Sequence, residues 1–183
     1  MNQTIRAAFP LVLALVLVSG CSAFSQAADT ILVPAGATWK YLANGTDQGT
    51  AWRAAGFNDS SWASGPAQLG YGDGDEATLV GYGPDPNNKY ITTYFRYAFN
   101  VPNAALFTGL TLQLMRDDGA VVYINGVEVW RTNMPTGNIG YLTPASIAIG
   151  GVDESQFVQT TISPAQLVNG ANVIAVELHQ SGG

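Results

Sequence analysis

The side chains that could carry out chemistry are few in this sequence. The 183 residues include one histidine, His179, and one cysteine, Cys21. A Ser-His-Asp system would have to use His179, yet no Gly-x-Ser-x-Gly segment presents a serine to it. Zinc usually takes three or four nitrogen and sulfur ligands, which this inventory does not supply. The sequence therefore favours a protein without catalytic residues of its own.

Carboxylates are more abundant, with 13 Asp and Glu residues. The adjacent Asp117 and Asp118 could in principle form a glycosidase-like pair, whose separation the sequence does not give. Asp-Asp-Gly between two strands is also an ordinary turn composition. We expect a turn at this position rather than a catalytic pair.

A second acidic group lies in the loop that begins at Gly70. Asp73, Asp75 and Glu76 are close enough in sequence to offer the oxygen ligands that calcium prefers, and glycines make the loop flexible. The spacing is not that of an EF-hand. The loop is thus interpreted either as a calcium site or as a solvated turn.

A third set of polar residues lies near strand ends or on outward strand faces. Sugar recognition needs an aromatic ring for the C–H face of the sugar and planar polar groups for its hydroxyls. A half-solvated sheet also displays polar side chains without any ligand, and Trp52 could equally belong to the core, as we expect for Trp62. The candidate ligand-binding residues are Trp52, Arg116, Asp117, Asp118, Glu177 and His179.

The elements that would position these residues are predicted to be strands. From Thr30 onward, short apolar or alternating stretches are divided by Gly, Pro, Asn and Asp, which is typical of an all-β, two-sheet antiparallel β-sandwich. Residues 90–101 form the clearest strand, with Phe95 and Tyr97 on one face and Tyr94 and Arg96 on the other. One of these faces should meet the core.

Three further segments have specific local signals. Asn125-Gly126 between two apolar runs predicts a hairpin with a type I′ turn. Ser163 followed by proline predicts a capped helical turn. The strand over 172–180 turns Glu177 and His179 to the face opposite its apolar residues.

The first residues have the pattern of an export signal. Arg6 precedes an apolar run over 7–18, and Ser19-Gly20-Cys21 resembles a bacterial lipobox that would attach lipid to Cys21. Cleavage after Ala27 is the alternative, which would give a secreted protein. We expect a signal peptide over 1–20, a tether over 21–29 and one β-sandwich domain over 30–183, anchored to the membrane at the cell envelope. The formal net charge of −6 disfavours nucleic acid as a partner.

These motifs together resemble a known domain type. The segments 94–96, 118–126, 163–167 and 170–176, with 57–62 upstream, are similar to the galactose-binding-like jelly-roll domain. That domain is found as the sugar-binding domain of family 2 glycoside hydrolases, in sialate O-acetylesterases and in large secreted bacterial proteins. The resemblance implies a jelly roll that positions substrate or attaches an enzyme to polysaccharide. Such domains normally continue into a further strand, so the sandwich is expected to lack its last strand.

The function predicted from these observations is that of a non-catalytic carbohydrate-binding or accessory module of an exported bacterial surface protein. Two alternatives stay open. One is a structural or protein-interaction domain that binds no sugar, and the other is an accessory fragment of a larger secreted hydrolase that works beside a catalytic domain.

Overall fold

The chain is a β-sandwich. The computed structural model describes residues 2–6, 29–72 and 74–182. The strands are β1 Asn2–Arg6, β2 Thr38–Leu42, β3 Ala63–Pro66, β4 Leu69–Gly70, β5 Thr78–Leu79, β6 Thr92–Val101, β7 Gly109–Leu114, β8 Gly119–Ile124, β9 Val127–Thr132, β10 Val158–Ile162 and β11 Gly170–His179. Short 3-10 turns occupy Ala51–Arg53, Ala104–Leu106, Gly151–Asp153 and Pro164–Gln166. The all-β class predicted from the sequence is confirmed.

Two sheets form the layers. The larger sheet has six antiparallel strands in the order β3-β2-β6-β11-β8-β9. The smaller sheet has the order β1-β7-β10, in which β1 runs parallel and β10 antiparallel to β7. A main core of apolar side chains, including Trp39, Leu112 and Val176, lies between them.

The other face of the large sheet is also covered. A second apolar cluster forms there around Trp52, Trp62 and Tyr94, and includes Tyr123 and Val173. The loop that contains Trp52 and Trp62 folds over this face. The sheet is therefore buried on both faces, whereas the strand pattern predicted one core face and one polar face.

The local predictions are largely confirmed. The predicted strand over 90–101 is Thr92–Val101, and the hairpin turns at Asn125 and Gly126 with φ angles of 51° and 89°. Positive φ at both positions is the type I′ geometry. The side chain of Ser163 accepts a hydrogen bond from the Ala165 amide and so caps the 3-10 turn. Within the described part of the chain, no helix is long and apolar enough to cross a membrane.

Candidate functional site

A cleft opens at one end of the sandwich, where strands of both sheets finish. β7 ends at Leu114 and β11 at His179, and antiparallel pairing brings the residues that follow β11 close to the start of β6. The loop after β3 forms another wall. We call this opening the end cleft; its polar and aromatic lining consists of Gln68, Tyr71, Glu76, Thr93, Arg116, Asp117, Glu154 and Gln180.

Hydrogen bonds fix the segments that carry Asp117 and Gln180. Gln180 Nε2 donates to the carbonyl of Asp117 at 3.0 Å, and its backbone amide donates to the carbonyl of Ile91 at 2.8 Å. Arg116 Nε donates to Thr132 Oγ1 at 3.4 Å. Apolar side chains, among them Phe95 and Leu178, complete the lining. The end cleft thus combines polar groups held by the sheet ends with an apolar surface.

Tyr71 supplies an aromatic ring to the end cleft. Its ring meets that of Tyr82 edge to face at 5.1 Å, and Lys89 Nζ lies 5.0 Å from its centroid. Burial, followed by the charges of Asp117 and Asp118, raises the pKa of Tyr71 to about 12. Tyr71 is consequently a neutral, oriented phenol that can offer both a ring and a hydroxyl.

Asp118, predicted beside Asp117 as a ligand residue, does not line the end cleft. It is 5% exposed, and its two oxygens accept hydrogen bonds from the amides of Ile149 at 2.5 Å and Ser181 at 2.6 Å. Burial raises the pKa of Asp118, but these amide bonds, together with hydrogen bonds to the side chains of Ser181 and Asp117, outweigh it and hold the pKa below its ordinary value. Its carboxylate therefore joins three segments of the chain.

The expectation that Glu177 and His179 face solvent is wrong. They do lie together on the face opposite the apolar residues of β11, as predicted, but that face is covered by the second cluster and both are buried. Trp52 is fully buried as well, packed against Tyr94 and Tyr123 with ring centroids 4.8 and 5.8 Å apart. The structure thus places these three candidates in the interior and away from the end cleft.

Glu177 belongs to a buried polar network. Its Oε1 accepts hydrogen bonds from the Tyr123 hydroxyl at 2.5 Å and from Arg53 Nη2 at 3.3 Å. The guanidinium of Arg53 also lies 4.2 Å from the Tyr123 ring centroid. These contacts satisfy a carboxylate that would otherwise be costly to bury.

His179 is held by two oxygens. Its Nδ1 lies 2.8 Å from the carbonyl of Thr143 and 3.0 Å from Thr92 Oγ1. Because a carbonyl can only accept, Nδ1 carries a hydrogen. Nε2 has no hydrogen-bond partner among the described residues and lies 3.7 Å from Glu177 Oε2. These contacts hold the buried His179 ring in place, so we interpret its role as structural.

The predicted calcium loop is only partly described. Asp73 lies outside the described residues, Asp75 is exposed, and Glu76 Oε2 accepts a hydrogen bond from the Gly74 amide at 3.0 Å. Across the described ranges, no three His, Cys, Asp or Glu side chains converge as a metal-binding group. Calcium binding stays a prediction. Cys21, the predicted lipid attachment point, also lies outside the described residues.

Tyr71 and Glu154 are among the lining residues that were not predicted from the sequence. Tyr71 adjoins the acidic loop, so a ring next to those carboxylates was an available signal. Glu154 follows a 3-10 turn far from the other lining residues in sequence, and no local pattern marks it. Of the predicted ligand residues, Arg116 and Asp117 line the end cleft, and Glu76 from the predicted calcium set joins them.

Comparison with known proteins shows the fold. No family model matches the sequence, and no curated protein matches it. Solved structures do match. A β-glucuronidase from glycoside hydrolase family 2 shares 19% identity with a TM-score of 0.51, over 79% of this chain and 13% of its own. The Ruminococcus gnavus β-glucuronidase shares 14% identity with a TM-score of 0.52, over 82% of this chain and 21% of its own.

The chain thus spans between about an eighth and a fifth of the length of these enzymes. At this level of identity the likeness is one of fold. The predicted resemblance to the galactose-binding-like sandwich of family 2 glycoside hydrolases is confirmed in that sense, and the jelly-roll connectivity stays a prediction.

Proposed function

We propose that this chain is a non-catalytic carbohydrate-binding module and that the end cleft is its sugar site. The observation that supports this most is the combination of the Tyr71 ring with Arg116, Asp117 and Gln180 around one opening. A pyranose has an apolar C–H face and a rim of hydroxyls, which require these two kinds of partner together. The fold likeness to enzymes that act on sugars is in keeping with this proposal.

The test is a screen of the purified chain on an array of glycans, with and without calcium. We expect selective binding that is lost on Tyr71→Ala and on Arg116→Ala. Arg131→Ala is the matched control, since Arg131 pairs with Glu128 outside the end cleft. Thermal melting of each variant separates loss of binding from loss of fold. A folded chain that binds no glycan contradicts the proposal, and calcium-dependent binding would support the predicted calcium loop.

A second candidate function is an accessory domain that works beside a catalytic domain. It is favoured by the small share of the β-glucuronidases that this chain matches. In that case the end cleft would face a catalytic domain. The discriminating result would be an Arg116→Ala variant that changes the activity of an attached hydrolase while the isolated chain binds no glycan.

We further propose that the chain is exported and carries lipid on Cys21. The support is the sequence pattern alone, with an apolar run followed by a lipobox-like segment. Mass spectrometry of the protein from a bacterial membrane fraction should show a diacylglycerol-modified Cys21 as the first residue. This cleavage would remove β1, which pairs with β7, and leave β7 and β10 of the smaller sheet. Unmodified protein that begins at Ala28 would instead indicate secretion by the alternative cleavage after Ala27.

A further inference from the structure

The end cleft adjoins an apolar pocket that lies between the two sheets. We call this space the inner pocket; it is lined by Trp39 of β2 and Val176 of β11 on the larger sheet and by Leu114 of β7 on the smaller one. Five of its nine lining residues also line the end cleft, namely Gln68, Leu69, Phe95, Met115 and Leu178. A ligand in the polar end cleft can therefore extend into an apolar space.

The unequal widths of the two sheets account for the inner pocket. Neighbouring strands are about 4.8 Å apart, so six strands span about 24 Å and three strands about 10 Å. The smaller sheet consequently leaves part of the larger one uncovered. Phe95 on the larger sheet and Leu114 at the end of β7 stay half-buried around the pocket for this reason.

The segment that follows β3 forms a fixed wall of the inner pocket. The Ala67 amide donates to the Ala37 carbonyl at 2.9 Å, and the Gln68 carbonyl accepts from the Thr78 amide at 3.0 Å. Ala67 and Leu69 also pack against the main core. The pocket is thus formed before a ligand enters, and a preformed site costs its ligand little reorganisation.

The lining of the inner pocket suits an apolar group. Gln68 is the one polar residue in this lining, among the residues that the structure describes. A water molecule there would lack most of the polar partners that hold a buried water in place. The pocket encloses about 100 Å³. An apolar cavity of about 150 Å³ admits benzene, so this space can hold a short carbon chain.

We infer that the inner pocket binds a short alkyl or acyl chain carried by a sugar in the end cleft. This inference rests on the proposed function, because the sugar is what the end cleft would hold. Each methylene that enters should raise the affinity about fourfold, which is the factor that burial of one CH₂ group gives. The gain should end after roughly three carbons, if each takes about the 30 Å³ that a water molecule occupies in the liquid.

The experiment is an NMR titration of the purified chain with methyl, ethyl, propyl, butyl and hexyl β-glucosides. The affinity should rise about fourfold for each carbon from methyl to butyl and then level off. Because the gain comes from the alkyl chain, we expect it even where glucose is not the preferred sugar. Nuclear Overhauser effects between the terminal methyl group and the Trp39 ring should place the chain in the inner pocket.

A second series distinguishes an acyl chain from an alkyl chain. Glucosamine is compared with its N-acetyl, N-propanoyl and N-butanoyl derivatives in the same titration. A gain confined to this series would assign the inner pocket to an acyl group, and a gain confined to the glucosides would assign it to an alkyl group. Either result supports the inference.

Ala67→Leu tests the assignment to the inner pocket. The larger side chain would occupy the space that the ligand's chain needs, so the gain per carbon should disappear. Ala63→Leu is the matched control, since Ala63 is an exposed residue of β3 outside the lining, and it should keep the gain. Met115→Ala requires no extra volume and should let the gain continue to a longer chain. Thermal melting of each variant verifies that it is folded.

The outcomes separate this inference from the proposed function. If glycans bind on the array but the affinities in both series are independent of chain length, the inference is overturned and the sugar site remains. A folded chain that binds no glycan on the array would overturn the proposed function, and the sugar-borne chain with it. A folded Ala67→Leu variant that keeps the full gain would overturn the assignment to the inner pocket.

Discussion

Replacement of Arg96 by methionine should destabilise the fold. Arg96 is 2% exposed; its Nε donates to Asp59 Oδ2 at 2.7 Å, and its Nη1 donates to the carbonyls of Trp52 and Ala54. Methionine keeps most of the apolar stem but removes the donor to the Trp52 carbonyl, whereas the Ala54 carbonyl still accepts from the Phe57 amide at 3.2 Å. An unsatisfied buried polar group costs about 1–3 kcal/mol.

The expected loss follows from these contacts. The unsatisfied Trp52 carbonyl gives about 1–3 kcal/mol. Asp59 adds little, because its side chain is 28% exposed and water can solvate the freed carboxylate. We therefore expect the free energy of unfolding to fall by about 1–3 kcal/mol.

The assay is equilibrium unfolding in urea, followed by tryptophan fluorescence and far-UV circular dichroism. Arg131→Met is the control, since Arg131 makes the same kinds of contact in a partly exposed position, where water can replace them. It pairs with Glu128 at 2.6 Å, and its Nη1 donates to the carbonyls of Pro135 and Gly137. Such pairs contribute about 0–1 kcal/mol, so the control should stay close to the parent chain. An Arg96→Met variant that is no less stable than the Arg131→Met control would refute the reasoning.

Two further predictions concern Asp118, which precedes β8, and Gly119, the first residue of β8. The folded pKa of Asp118 lies below its ordinary value of 3.8, so the stability that Asp118 contributes is present above that pH and is lost as the pH falls towards the folded pKa. Thermal melts between about pH 5 and 2 should therefore show a smaller fall in melting temperature for Asp118→Asn than for the parent chain. An added Cβ at Gly119 would lie 2.8 Å from the backbone carbonyl of Asn133, so Gly119→Ala should lower stability by about 1–3 kcal/mol. Gly150, where nothing lies within 4 Å of an added Cβ, gives the control, and equal urea midpoints for the two alanine variants would contradict the packing argument.

The sequence predicts the strands and their faces well because their signals are local. The Asn125-Gly126 turn and the Ser163 cap depend on neighbouring residues alone, and both occur as predicted. Alternation likewise assigns Glu177 and His179 to the correct side of β11.

Whether a strand face is buried depends on segments that are distant in sequence. The predicted exposure of Glu177 and His179 is wrong for this reason. Alternation does not reveal that the loop with Trp52 folds over the second face of the large sheet. A signal was present, because residues 173–176 and 120–124 are continuously apolar rather than alternating, which is typical of strands buried on both faces. The end cleft is similarly non-local, since Glu76, Asp117 and Glu154 meet only through the fold.

The position of β11 has a consequence for when the protein can fold. β11 lies between β6 and β8 and joins two groups of strands that are not otherwise neighbours in the large sheet. A chain made from its N terminus cannot unite these groups until residues 170–179 have been synthesised. Closure of the sheet is thus postponed to a late stage of translation, and long-range pairing of this kind is slow. Under the export that we propose, this delay would keep the large sheet open until residues 170–179 arrive.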